Sequence, residues 1–404
     1  MQIQPILATL RRHKLIAGLL ALLVAFTCAI VCNVAFMIAR HATAMHVISG
    51  VDENRLVTVE SVDLAHGVNR LAQDQADLAA LRAIPGVESA VVVDALPFNG
   101  NNWTTSASIT ADGSSVANIR VFNGSPGELQ TLGLKLIAGR DFRADEYVPK
   151  QGAHGDSGLK HVPAVIVTQQ LAERLFPGQS ALGKAIYPYK EPVRIVGVVA
   201  HLLNPDAGDG ADSNFSALFP MLPGDPDVTY VLRTQPQDRA RVLKQATALL
   251  TRLDPNRVLR RPQTFAQMRA DYFQGDRTMM SLLIASALGL LFVAALGITG
   301  LANFWVQQRT RSIGIRRAVG ATRADILHYF QVENFLIVTW GVVLGAILAV
   351  GVNLLLMHFY ELPRLPLWYL LVGAAALWVL GQLAVLSPAR RASRVPPVVA
   401  TRSV

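Results

Sequence analysis

Few residues in this chain have the type and spacing to carry chemistry. The sharpest pattern is Gly178-Gln-Ser-Ala-Leu-Gly183-Lys184-Ala185, which satisfies the GxxxxGK spacing of a phosphate-cradling loop. Such a loop holds phosphates on backbone amides and needs a Ser or Thr hydroxyl after the lysine for magnesium, whereas Ala185 offers only a methyl group. The segment also follows a short helical stretch and Pro177 instead of a strand, so its residues predict a tight turn leading into a strand. His41, His46, His66, His154, His161 and His201 are scattered, and the sequence contains neither HExxH nor GxSxG. Cys28 and Cys32 lie four apart inside an apolar run, which predicts two buried thiols on one helix face and neither a disulfide framework nor a metal cluster. The expectation is a chain with no catalytic residues, no metal ligands and no directly bound cofactor.

The elements around these residues declare a membrane protein. Hydrophobic residues make up 51% of the 404 and charged residues 16%, against about 25% charged in soluble domains. Four uncharged stretches stand out, at 15–39, 278–306, 334–357 and 367–388. At about 1.5 Å per residue, 20 or more residues of helix cross a hydrocarbon core of about 30 Å. A secretory signal is the rival reading of the first stretch, since a basic start precedes it and Ala42-Thr43-Ala44 resembles a cleavage site. Its apolar run exceeds the roughly 7 to 15 residues of a signal core, so it is expected to be retained.

Charge gives these spans a direction. Arg11, Arg12 and Lys14 precede the first; Arg309, Arg311, Arg316, Arg317 and Arg323 lie between the second and third; Arg390, Arg391, Arg394 and Arg402 follow the last. The short 358–366 loop holds only Arg364. The positive-inside rule then puts both termini and the 307–333 segment in the cytoplasm and residues 40–277 outside. That outer segment holds 24 basic and 25 acidic residues, so the net charge of +9 is topological and does not mark a nucleic-acid partner.

Residues 40–277 alternate helical and strand-like pieces, which predicts one mixed α/β domain, in one or two lobes. Leu71, Leu78, Leu81 and Ile84 suggest a helix stopped at Pro85-Gly86, with a strand at 87–93. A strand at 164–167, an N-cap at Thr168 for a helix through Phe176, a buried strand at 193–199 and a helix at 237–253 are expected as well. Residues 201–227, rich in Gly, Asp and Pro, read as a long loop. At the N-terminus, Ile3, Ile6, Leu7 and Leu10 would line one face of an amphipathic helix over 1–14, along the inner membrane surface, although a frayed tail fits them too.

The basic connector has a grammar of its own. Gly320 suits a helix C-cap, and Thr322 with Asp325 forms a capping-box start for the next helix. A short helix at 313–319 is therefore expected, apolar through Ile313, Ala318 and Val319 and basic through Arg316 and Arg317. A stiff amphipathic element at the membrane surface can be gripped by a soluble partner. The same residues also fit an ordinary basic flank.

This segment resembles the signature of the FtsX/MacB-like permease family of ABC transporters, and the resemblance extends over essentially the whole chain. Leu132-Gly-Leu-Lys-Leu-Ile-Ala-Gly-Arg-Asp-Phe142, Leu171-Ala-Glu-Arg-Leu-Phe-Pro-Gly178, Gly183-Lys184 and Val196-Gly-Val-Val199 look like a MacB-type core domain. Pro388-Ala-Arg-Arg-Ala-Ser-Arg394, followed by Pro397, resembles the family's closing motif. The resemblance implies a fold of four transmembrane helices, one and then three, around a large mixed α/β extracytoplasmic domain. It implies a dimer of permease chains, homomeric or heteromeric, in the bacterial inner membrane. Each chain would couple to a cytoplasmic ABC-type ATPase, which would hold ATP and magnesium on a separate chain.

By the same resemblance, the ATPase-coupling residues are Ile313, Gly314, Ile315, Arg316, Arg317, Ala318, Val319, Gly320, Ala321 and Thr322. The first two spans would relay motion to the outer domain (mechanotransmission), joined in some members to a periplasmic adaptor and an outer-membrane duct. The family commonly has Glu where Ser312 stands, so a contact made by that carboxylate is in question here. Efflux of a hydrophobic or amphipathic peptide, antibiotic or lipid-linked cargo is the leading functional expectation. A family member that activates a periplasmic enzyme, or senses an antibiotic without moving it, is the alternative.

Overall fold

The computed structural model describes residues 14–63, 69–101, 103–150, 159, 161–189, 191–205, 212–360 and 364–394. The amphipathic face expected at Ile3, Ile6, Leu7 and Leu10, together with His66, His154 and Pro397, lies outside them. In chain order the helices are α1 (Lys14–Ala44), α2 (Arg70–Arg82), α3 (Glu128–Leu132), α4 (Gln169–Leu175) and α5 (Arg239–Leu253). They continue with α6 (Phe265–Tyr272), α7 (Gln274–Gln308), α8 (Thr310–Ala318), α9 (Arg323–Tyr360) and α10 (Leu367–Ser393). Two compact units result, one from residues 1–43 and 276–404, the other from residues 44–275.

In the first unit, α1, α7, α9 and α10 are each long and apolar enough to cross a membrane. Small residues set how closely they pack. A Cβ on Gly341 would meet the Ala21 carbonyl oxygen at 2.8 Å, and one on Gly345 the Ala25 carbonyl oxygen at 2.7 Å. This Gly-xxx-Gly spacing brings α9 onto the backbone of α1, as small-residue pairs do where lipid removes the hydrophobic drive between helices. Cys28 and Cys32 are both fully buried here, their sulfurs 3.9 Å apart and unbridged, as the sequence predicts. Polar side chains tie the rest: Asn33 Nδ2 donates to the Ala349 carbonyl, Asn334 Nδ2 to Gly381 and Thr299 Oγ1 to Ala384.

The second unit is mixed α/β. Its strands are β1 (Leu56–Val62), β2 (Val87–Val93), β3 (Thr104–Ala107), β4 (Ala117–Asn123), β5 (Leu136–Gly139), β6 (Val148–Pro149) and β7 (Ala164–Thr168). They continue as β8 (Ala185–Ile186), β9 (Val193–Val199), β10 (Ser216–Phe219), β11 (Met221–Leu222), β12 (Asp227–Thr234) and β13 (Val258–Thr264). One sheet has the order β13-β1-β12-β2, antiparallel throughout. A second runs β3-β4-β10-β7-β9-β5 with β8 on β9, and its β10–β4 and β7–β9 pairs are parallel. The alternation in β1 explains one core: Val57 and Val59 face Leu81 of α2 and Val242, Ala246 and Leu250 of α5.

Two local expectations change. Residues 201–227 are not one loop, since β10 and β11 fall within them. Ser216 to Phe219 is too short and too bland to read as a strand alone, and it becomes one because β4 and β7 flank it with matching backbone donors and acceptors. Thr168 precedes α4 as expected but makes no side-chain cap bond. Its hydroxyl donates instead to the Asn214 carbonyl at 2.5 Å.

Candidate functional site in the basic connector

Helix α7 ends at Gln308, Arg309 leaves helical geometry at φ −104° and ψ 6°, and α8 begins at Thr310. The expected 313–319 helix therefore starts three residues earlier and ends one residue sooner. Backbone bonding explains the early start: the Ile313 amide already donates to the Arg309 carbonyl at 2.9 Å.

Each end of α8 is fixed. At its start, Arg309 Nη1 donates to both oxygens of Glu333 on α9, each at 2.9 Å, and the guanidinium sits 5.5 Å from the Trp305 ring centre. Both charged side chains are largely buried, so removing either partner alone would strand the other and cost about 3–5 kcal/mol. At its end, the Gly320 amide donates to the Arg317 carbonyl at 3.2 Å and the Ala321 amide to Arg316 at 3.0 Å, the paired bonds of a Schellman turn. Gly320 has φ +106°, a backbone conformation open to glycine and strained for L side chains. Two residues on, the Thr322 amide donates to Asp325 Oδ2 at 2.9 Å and the Asp325 amide to Thr322 Oγ1 at 3.2 Å, which is the expected capping box opening α9.

With both ends pinned, the faces of α8 are set. Ile313 and Gly314 turn inward, and Ile313 joins the core that contains Trp305, Ile326 and Phe330. Ile315 and Val319, at i and i+4, face outward with 53% and 84% exposure. Arg311, Ser312, Arg316 and Ala318 are exposed with them, while Arg317 and Ala321 are half-buried and Thr322 caps α9. Arg316 lies over the Tyr329 ring at 4.7 Å, which limits where its charge can swing. The result is an apolar pair ringed by guanidinium groups. It is suited to recognition by an acidic partner with an apolar cleft.

Sequence reading missed Arg309, Glu333 and Trp305. A signal was present, since a carboxylate at the mouth of an apolar span is costly and implies a partner. Among the described residues no group of three or more His, Cys, Asp or Glu could hold a metal. The phosphate-loop look-alike is a turn: Gly178 and Gly183 have φ +66° and +78°. Lys184 Nζ bonds Gln179 Oε1 at 2.6 Å, lies over the Phe176 ring and leads into β8.

Comparison with known proteins agrees with this layout. Residues 19–257 match the family model described as MacB-like periplasmic core domain, and residues 284–397 match that described as FtsX-like permease C-terminal. The macrolide export ATP-binding/permease protein MacB of Campylobacter jejuni is 26% identical over 96% of this chain and 59% of its own length. The protein of the same name from Bradyrhizobium diazoefficiens is 32% identical over 55% of this chain and 35% of its own. This chain thus spans about half the length of the MacB relatives it matches. The uncharacterized ABC transporter permease YknZ of Bacillus subtilis is 26% identical over 84% of this chain and 82% of its own. Of solved structures, the periplasmic region of MacB from Actinobacillus actinomycetemcomitans covers 56% of this chain and 96% of its own, at 16% identity and TM-score 0.34. The extracellular domain of YknZ covers 50% and 100%, at 18% identity and TM-score 0.33.

Proposed function

Because the chain belongs to the ABC-type permease family built from a MacB-like periplasmic core domain and an FtsX-like permease C-terminal part, we propose that it relays ATPase-driven motion across the inner membrane to its periplasmic domain. The observation that carries this reading is α8. Its ends are fixed by the Arg309–Glu333 pair and the Gly320 turn, so a push on the Ile315 and Val319 face is delivered to α7 and α9 instead of being lost in a flexible loop. An ABC-type ATPase in the cytoplasm, holding ATP and magnesium, docks on residues 313–322 and supplies the motion. The permease works as a dimer, both termini face the cytoplasm, and the cargo is hydrophobic or amphipathic and is exported from the periplasmic side. The basic flanks of the spans support the orientation.

The test begins with co-purification from native membranes in mild detergent. An ABC-type ATPase should be retained at near-stoichiometric level, and a periplasmic adaptor alongside it supports export, whereas a sensor kinase or cell-wall hydrolase supports signalling. Ile315→Asp with Val319→Asp should then reduce retained ATPase about tenfold or more, since two exposed apolar contacts and the local charge are lost together. Insertion and yield should not change, because neither side chain packs inside the protein. Retention unchanged in that double variant would remove α8 as the docking element.

A further inference from the structure

The unit of residues 44–275 contains a cavity of about 950 Å³, at the upper end of the roughly 300–1,000 Å³ of ligand pockets. Its floor is the face of β1 that carries Thr58 and Glu60, with Thr229 of β12 directly opposite Glu60. On this face Leu56, Val231, Phe265 and Met268 form an apolar core at one end of β1, and the cavity opens beyond it beside Glu60. Residues 94–101 and α6 form walls around this floor.

The charge of the cavity is one-sided. Asp94 and Asp225 share Lys150, whose Nζ is 2.5 Å from Asp225 and 3.8 Å from Asp94. Glu60 and Asp227 share Arg260, at 2.9 and 2.5 Å. Asp271 on α6 has no ion pair among the described residues, and Arg261 is the other cation in the wall. Carboxylates therefore outnumber cations, and they come from separate elements, so the negative charge is spread along the cavity. Thr229 is 7% exposed and lines the cavity, yet its hydroxyl has no hydrogen bond among the described residues. A buried hydroxyl normally finds a partner, and here it faces the empty space. Phe98 and Arg261, both in the wall, have φ +71° and +47°. Such backbone costs about 1–2 kcal/mol per residue, and strain of this kind collects at ligand clamps.

We propose that this cavity binds a small polar polycation with at least two amines separated by a short chain. Each ammonium group donates three hydrogen bonds and accepts none, which matches separated carboxylates and hydroxyls. Ring faces at Phe98 and Tyr272 would border the connecting carbons. The site lies wholly within one unit and needs no ATPase, so its test is separate from that of the coupling element.

Calorimetric titration of the full chain in zwitterionic lipid nanodiscs, with spermidine as probe, decides the matter. Saturable one-to-one binding is expected, about tenfold tighter than for butylamine at equal ionic strength and absent from empty nanodiscs. Asp271→Asn and Glu60→Gln should each weaken it roughly three- to tenfold, while Asp112→Asn, an exposed carboxylate outside the cavity, should leave it unchanged. Asp271 is exposed, so its substitution does not endanger folding. Equal binding of butylamine, heat from empty nanodiscs, or equal effects of the Asp112 and Asp271 substitutions would overturn the proposal.

Discussion

Glu128 shows what a single residue contributes in this protein. It opens α3, is 2% exposed, and its Oε1 has no hydrogen-bond partner. Burial, with the neighbouring charges of Asp94 and Asp141, pushes its carboxyl up to about 8. The folded state then binds a proton more tightly than the unfolded chain, so stability from this group is complete below about pH 4.5 and declines as pH rises toward 8. Glu128→Gln mimics the protonated form. It should raise the thermal midpoint relative to the parent at pH 8.5 and change it little at pH 5, a difference worth roughly 2–4 kcal/mol at the higher pH. A midpoint difference independent of pH, followed by differential scanning of the full chain, would show that Glu128 is ionised in the fold. Asp94 and Asp74 move the same way, to about 6 and about 7, both chiefly through burial. A sequence lists these carboxylates without marking them, because their shift comes from neighbours distant in the chain.

At the scale of elements, glycine positions in the spans differ in kind. A Cβ at Gly345 would strike the backbone of α1, whereas one at Gly351, two turns on in the same helix, would meet nothing within 4 Å. Gly345→Leu should therefore separate α1 from α9 and lower the thermal midpoint in detergent, by an amount corresponding to about 2–4 kcal/mol of overpacking. Gly351→Leu should be nearly neutral. Equal effects of the two would mean that α1 and α9 do not meet at this spacing. The sequence made all four spans legible through their uncharged length, and the strands at 87–93 and 193–199 through their Val-rich runs between turn residues. It left β10 and β11 hidden, because short pieces among Gly, Asp and Pro gain strand identity only from the strands beside them. It also placed the connector helix late, since the bond from Ile313 to Arg309 that starts α8 depends on how α7 ends.

Across the whole molecule, orientation is the property most open to direct test. A reporter active only outside the cytoplasm should work when fused after Lys150 and fail after Arg311. The reverse pattern would overturn the placement of α8 beside a cytoplasmic ATPase and the functional reading with it. The two fusions sit in different units, so together they constrain the topology without relying on how the units are arranged.

The sequence by itself determined the membrane class, the number and order of spans, the family and the capped ends of the connector. Each of these rests on local signals: hydropathy over a helix length, basic flanks, and Gly320, Thr322 and Asp325 within a few residues of one another. Tertiary structure alone decided which side chains the connector offers outward, how Arg309 and Glu333 lock its base, and that carboxylates from four separate stretches share one cavity. Those outcomes depend on pairings between residues far apart in the chain. Burial and electrostatics act on distance in space, and the order of residues does not specify that distance.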